Sequence, residues 1–347
     1  MTDNKFDDKK LTTREDFLWG VNMHSSYYSP SYKVSTIEDR IHYAAEMGCK
    51  LMRLNANSPE DELDYVVRLC NSYGMKVMLV IYIKDVLVKQ TQSQLKEIEK
   101  EFFYYTDRYD GLKGFGKADF IQISNEMDLT ILSNMKKPDY PTEFDKVEDY
   151  DCDILANATE QVKAAIKGVK SSTNEAKTVI NFCWEHYGML TYFYENGVDW
   201  DIIGHDWYGD MMNAYETRRN STAYGIGELL YKKYGKQIII CESNYFQFDL
   251  SNQSWDDTKA ETYDILIRGM QDAYRQNYVI GYTIYELVDE LCFEKAEWKR
   301  GDETWYREGH FGLLFADREG NIIEPKPIYY RIKDMIGGKN QPKKLIK

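Results

Sequence analysis

Hydrophobic residues in this chain fall into short continuous runs, separated by longer stretches in which they recur every three or four positions. The runs read as strands covered on both faces, and the spaced stretches as helices with one apolar side. Asp16 to His24 is the first run, with Phe17, Leu18, Trp19 and Val21 apolar. Thr36 to Met47 then places Ile37, Ile41, Ala44, Ala45 and Met47 on one helical face, and Gly48 stops it. Cys49 to Asn55 is the second strand and carries Arg53 inside an otherwise apolar run. Ser58 and Pro59 read as a cap and first helical position for a helix reaching Gly74, and Met75 to Tyr82 is the third strand. The same alternation predicts a helix over Gln94 to Tyr109, a strand from Phe120, a long polar loop over Leu129 to Tyr150, and a helix over Cys152 to Val169. Strands over Lys177 to Trp184 and Trp200 to Tyr208 follow, then a helix over Ala223 to Tyr234 and a strand from Gln237. A helix over Thr258 to Gln276, a strand over Val279 to Glu286 and a last helix from Pro327 to about Met335 complete the series.

Strand followed by helix is the unit of a parallel sheet, and eight such strands predict an α/β fold, a single (β/α)8 TIM barrel. The doubly wound alternative wants a Gly-rich phosphate loop after an early strand, and GVNMHSSYY is not one. Linkers, repeats and low-complexity tracts are absent from the sequence, so residues 1–347 read as one catalytic barrel, with about 16–337 the barrel proper and short polar tails at both ends.

Two strands end in a way the others do not. FIQISNEMD, Phe120 to Asp128, runs from apolar residues into Ser124, Asn125 and Glu126, and QIIICESNY, Gln237 to Tyr245, runs into Glu242. The C-terminal ends of barrel strands are where active sites are built, and paired carboxylates there are the minimum equipment for cleaving a glycosidic bond. Folding is expected to bring the two glutamates to roughly 5 Å, the spacing of a retaining mechanism in which one donates a proton and the other attacks the anomeric carbon. For a lone glutamate the other reading is a solvated rim residue; two, each following a buried strand, argue against it.

Lys and Arg number 44 against 57 Asp and Glu, a formal charge of −13 that disfavours nucleic acid or an anionic membrane as partner. The N-terminal MTDNKFDDKKLTTREDF has no apolar signal core, so the expectation is a cytoplasmic protein as written, or a secreted one if a leader has been trimmed. Of six cysteines, Cys49, Cys70, Cys183 and Cys241 sit on apolar strands or helix faces and read as small buried hydrophobes, with no zinc spacing among them. The 29 tyrosines and 7 tryptophans exceed what a core alone needs, and stacking on sugar faces is one use for them.

At these strand ends the chain resembles clan A of the glycoside hydrolases, the retaining (β/α)8-barrel superfamily. SNE at Ser124 to Glu126 and ICES at Ile240 to Ser243 match its motifs. Within the clan, IQISNE, DIIGHDWY and IIICESNY are similar to strands of the endo-β-1,4-galactanase family, whereas YELVDE from Tyr285 and HFGLLFADREGNIIEPKPIYY from His310 look like cellulase-type members. The resemblance implies Glu126 as acid/base, Glu242 as nucleophile, Asn125 as the amide on the sugar 2-hydroxyl, and no cofactor or metal. It also implies that Arg53 keeps Glu242 ionised, that Tyr208 donates to Glu242 and that His205 lines the floor. The other reading of Arg53 is a bridge between barrel layers, and of His205 a core histidine satisfied within the fold.

His24 and Trp184 are strand-end candidates for sugar contact. The clan usually places a tryptophan at the end of strand eight, where this chain has Tyr285 and Glu286, and Glu286 is expected to read a hydroxyl instead. Trp298 and Trp305, on the loop from Val288 to Gly309, are expected to wall the cleft or to pack back on the barrel rim. These features imply a retaining β-glycoside hydrolase, endo-acting on a carbohydrate chain. The competing readings are a non-catalytic carbohydrate-binding barrel and a metal-dependent hydrolase using Glu126, Glu242, His24, His186 and His205. The oligomeric state is open.

Overall fold

The computed structural model describes residues 10–29, 31–134, 144–208, 226–245, 256–291 and 309–338. Eight parallel strands close on themselves in chain order: β1 (Leu18–Met23), β2 (Leu51–Asn55), β3 (Lys76–Ile81), β4 (Phe120–Ile123), β5 (Lys177–Cys183), β6 (Ile202–Asp206), β7 (Ile238–Glu242) and β8 (Val279–Ile284). Pairing of β8 with β1, Leu18 opposite Gly281, seals the barrel, which is the (β/α)8 fold expected from the alternation.

Between the strands run α1 (Ile37–Met47), α2 (Glu60–Ser72), α3 (Gln92–Arg108), α4 (Met127–Ser133), α5 (Cys152–Ser171), α6 (Gly188–Glu195), α7 (Ile226–Tyr234) and α8 (Asp264–Arg275). A two-stranded hairpin, β9 (Leu314–Ala316) and β10 (Ile322–Pro325), precedes α9 (Pro327–Ile336). Among the described residues no helix is long and apolar enough to cross a membrane.

Local chemistry explains most of the boundaries. Gly48 closes α1 with a left-handed φ of 105°, which a side chain would oppose. Thr91 and Gln94 form a capping box that starts α3 earlier than Gln94. Pro59 stands at the N-cap of α2 rather than inside it, and the Ser58 hydroxyl is spent on the Asn55 carbonyl instead of capping. The stretch expected to be loop from Leu129 begins as α4, because Met127, Ile131 and Leu132 share one buried side. The helix expected from Thr258 instead begins as a 3-10 turn, Ala260–Tyr263, before α8. The expected helix start at Ala223 lies outside the described residues.

Alternation along each strand divides its side chains into two cores. Leu18, Leu51, Met78, Phe120, Val179, Ile202, Ile239 and Cys241 pack together inside the barrel, while the larger core lies between strands and helices. Inward positions further along the strands are polar: Asn22, Arg53, Gln122, Asn181 and Asp206, all buried. The barrel is thus an oily plug below a polar upper layer. At Gly204 a Cβ would stand 2.6 Å from the Asn181 Cβ and 2.9 Å from Cys241 Sγ, so only glycine lets β5, β6 and β7 close at this level. Cys49, Cys70, Cys183 and Cys241 are free and buried.

Candidate active site

Arg53, one of the few charges on the inward faces, organises the polar layer. Its Nη1 donates to Glu242 Oε1 at 2.7 Å and to Asn22 Oδ1 at 2.8 Å, its Nε to Gln122 Oε1 at 2.8 Å, and its Nη2 to Asn125 Oδ1 at 2.5 Å. Burial works against the guanidinium charge, but Glu242 and Asp206 outweigh it and hold the arginine above its ordinary range. Four strands, β1, β2, β4 and β7, are therefore tied to one cation. Tyr208 donates its hydroxyl to the other oxygen of Glu242, Oε2, at 2.8 Å. The Glu242 carboxylate is held from two sides.

Glu126 follows β4 in a left-handed conformation, φ 44°, at the N-cap of α4, and its backbone N–H donates to Asn181 Oδ1 at 3.1 Å. Ser124 and Trp184, at the ends of β4 and β5, also have positive φ, 59° and 50°. Three of the four non-glycine residues with positive φ among the described residues thus lie beside this site, where strain of about 1–3 kcal/mol each is typical of functional positions. One carboxylate oxygen from each of Glu126, Asp206 and Glu242 lies within 4.8 Å of the others. Burial, then Glu242 and Asp128, raise the Glu126 carboxyl to about 8. Near neutrality Glu126 carries a proton beside a glutamate held by a cation, which is the division of labour between an acid and a nucleophile.

A pocket of about 690 Å³ opens above the pair. His24, Arg53, Asn125, Trp184, Tyr208 and Tyr285 line it together with Glu126 and Glu242. Asn125 Oδ1 also accepts from Asn181 Nδ2 at 2.8 Å and Gln122 Nε2 at 3.3 Å, so the donor it has for a ligand is Nδ2. His24 stacks on Tyr28, ring centroids 4.2 Å apart, and burial with Arg53 and Arg40 lowers it to about 3, which keeps the ring neutral. Trp184 is 38% exposed and presents its ring to the opening.

Two candidates go elsewhere. His205 is wholly buried: counting from inward-facing Ile202, it falls on the outer face of β6, stacked on Phe182 with its Nε2 at 2.8 Å from the Trp184 carbonyl. It is the core histidine of the alternative reading. Glu286 lies behind His24, where Tyr32 donates to its Oε2 at 2.5 Å. Wholly buried, it is not among the residues that line the pocket, and it lies 3.7 Å from His24 Nε2. His186 pairs with Asp128 at 2.9 Å, so the three histidines of the metal reading do not converge on the glutamates. Trp298 and Trp305 lie outside the described residues.

The structure adds residues that the strand ends alone did not single out. Asn22, Gln122, Asn181 and Asp206 orient the ligand-facing groups, and Tyr28, Tyr82 and Tyr245 add aromatic surface to the pocket. The first four had a signal: each is a polar residue on the inward side of an apolar strand.

Solved structures with the same fold include Fpglu1 from Fervidobacterium pennivoraus, 12% identical over 92% of this chain and 95% of that one, TM-score 0.63. The β-glucosidase from Thermotoga maritima in complex with deoxynojirimycin is 15% identical over 95% of this chain and 99% of its own, TM-score 0.60. A calcium-binding mutant of Bacteroides uniformis β-glucuronidase 2 is 14% identical over 91% of this chain, TM-score 0.62, but the match spans only 34% of that longer protein. These likenesses are of fold. No curated protein matches by sequence. Residues 53–292, which run from the arginine under Glu242 past both glutamates, match the model of glycosyl hydrolase family 53, and with more than half of its length so matched the chain belongs to that family.

Proposed function

We propose that this glycoside hydrolase cuts within a β-linked sugar chain by double displacement, with Glu126 as acid/base and Glu242 as nucleophile. The observation that carries this reading is the approach of the two carboxylates, one oxygen of each lying within 4.8 Å of one oxygen of the other, on the scale of the roughly 5–5.5 Å between carboxyls in retaining enzymes. Inverting enzymes need a wider gap, about 6.5–9.5 Å, to seat a water. In the first step Glu126 gives its proton to the glycosidic oxygen as the C–O bond breaks, and a Glu242 oxygen bonds to the anomeric carbon. The carboxylate charge on Glu242 is then consumed, which removes one cause of the raised proton affinity of Glu126. Glu126, now a carboxylate, takes a proton from water; the resulting hydroxide adds to the anomeric carbon and frees Glu242. Asn125 Nδ2 supplies the contact to the 2-hydroxyl that tightens as charge develops on the ring.

The substrate is a carbohydrate, and the family match together with the similarity of strands four, six and seven to endo-β-1,4-galactanases makes β-1,4-galactan the first to test. Trp184, Tyr28 and Tyr82, all partly exposed at the opening, suit successive sugar faces and hence internal cleavage. The test is reducing-sugar release from galactan, glucan, mannan and xylan chains and their oligosaccharides by wild type and Glu242→Gln, with NMR of the first anomer formed. Release by wild type alone, with the β-anomer appearing first, is expected. An α-anomer as first product, or unchanged activity in Glu242→Gln, overturns the mechanism.

A further inference from the structure

Asp206 closes β6 on its inward side, wholly buried and away from the pocket surface, with an oxygen within 4.8 Å of carboxylate oxygens of both Glu126 and Glu242. We propose that Asp206 is a positioning residue that works as a neutral carboxyl, clamping Asn181 and through it the amide of Asn125 and the backbone of Glu126. This rests on the double-displacement reading above.

The geometry runs through one amide. Asn181 Nδ2 donates to Asp206 Oδ2 at 2.6 Å and to Asn125 Oδ1 at 2.8 Å, while its Oδ1 accepts from the Glu126 N–H at 3.1 Å. Asn125 Oδ1 and the Glu126 N–H select this face of the Asn181 amide, and Asp206 Oδ2 adds the anchor on β6 that holds the amide in place between them. The acid/base and the 2-hydroxyl donor therefore share Asn181 as a common support, which at Asn125 acts beside the hydrogen bonds from Arg53 and Gln122.

Charge counting explains why that support is neutral. Arg53, the cation of this layer, commits Nη1 to Glu242 and Asn22, Nη2 to Asn125 and Nε to Gln122, and makes no hydrogen bond to Asp206. Glu126 from the end of β4, Asp128 from α4, Glu242 and Cys241 from β7, Cys183 from β5, and Tyr82 and Tyr208 beyond β3 and β6 otherwise surround it, and none of them brings a positive charge. Burial, then Glu242 and Glu126, raise the Asp206 carboxyl well above its ordinary range, and Arg53 only partly opposes them. With Asp206 protonated, the single guanidinium charge is matched to the single carboxylate that must attack, Glu242. An ionised Asp206 would compete for it.

The experiment compares Asp206→Asn, which replaces a neutral acid by a neutral amide of the same shape, with Asp206→Ala. On the substrate that wild type cleaves, Asp206→Asn is expected to stay within about threefold of wild-type kcat/KM with its alkaline limb unmoved. Asp206→Ala is expected to lose about 100-fold in kcat with little change in KM, as misalignment does. Rescue by the asparagine separates positioning from mere packing. A displaced alkaline limb in Asp206→Asn, or wild-type kcat in Asp206→Ala, overturns the proposal. Infrared difference spectra at neutral pH need no substrate: Asp206→Asn should remove one protonated-carboxyl band distinct from that lost in Glu126→Gln. Loss of a carboxylate band instead shows Asp206 charged and overturns the proposal, whether or not the glycosidase reading stands.

Discussion

Arg53 and Lys326 are both cations buried near the C-terminal end of the barrel, and their surroundings differ in what they leave unfinished. Lys326, at the N-cap of α9, donates to Asp289 Oδ1 at 2.7 Å and the His310 carbonyl at 2.8 Å, and pairs with Asp257 Oδ2 at 3.2 Å. Its three N–H bonds face three oxygens, and the ring of Phe315 covers it, 5.1 Å away. The network ties the segment after β8 to the hairpin and α9. Arg53 is as deeply buried, yet its layer holds the carboxyls of Glu126, Asp206 and Glu242 within 4.8 Å of one another and opens to a pocket. A closed network holds a shape. A network whose carboxyls line an open pocket stores protons that chemistry can move.

The sharpest way to break this contrast is at the carboxyls. Glu242→Gln should cost on the order of ten-thousand-fold in kcat while leaving the thermal midpoint near wild type, as steady-state rates and calorimetry would show. Glu126→Gln should cost about 100- to 10,000-fold on substrates with poor leaving groups, and much less on an activated aryl glycoside, which needs no proton. Equal losses on both substrates would remove Glu126 from the acid role. At the closed network, Lys326→Met should lower unfolding free energy by about 3–5 kcal/mol in urea titration, because Asp289 is left buried and unpaired. A loss below about 1 kcal/mol would mean that the network is dispensable. Tyr208→Phe removes one hydrogen bond to a charged oxygen and should cost about 1.5–3 kcal/mol of transition-state stabilisation in kcat/KM, with stability little changed.

The pH dependence separates the two networks as well. Glu126, raised to about 8, must be protonated to act, so kcat/KM should fall as pH rises through that value, and the limb should vanish from the residual activity of Glu126→Gln. Its folded-state proton affinity exceeds the unfolded one, so its share of stability is full below about 4.5 and is lost as pH climbs toward about 8. Asp289 also sits high, at about 6, since burial outweighs Lys326. Its share is lost by about 6, two units earlier, and Lys326→Met should move that step to higher pH.

Strand positions were legible because parallel barrel strands are apolar on both faces, so all eight announced themselves as runs. Both glutamates and Arg53 stood out because each interrupts such a run. The α4 helix was hidden behind a polar stretch, and the β9–β10 hairpin behind a motif read only for its likeness, although the DREGN turn between Phe315 and Ile322, with Gly320 at φ 77°, marks it. His205 was misplaced because, near a strand end, a shift of one residue decides between pocket and outer face. Counting by twos from Ile202 puts His205 outside and Asp206 inside, and the same count finds Asn22, Gln122 and Asn181.

The sequence by itself determined the barrel, its strand order and the arrival of two glutamates at strand ends, because these follow from local periodicity and from where apolar runs stop. Only the tertiary structure decided that Arg53 reaches Glu242 across 189 positions of sequence and that Asn181 joins Asp206 to Asn125. It also decided that Glu126 sits where burial and neighbouring carboxylates hold a proton. Proton affinity depends on charges brought near through space, and strand periodicity carries no record of those distances.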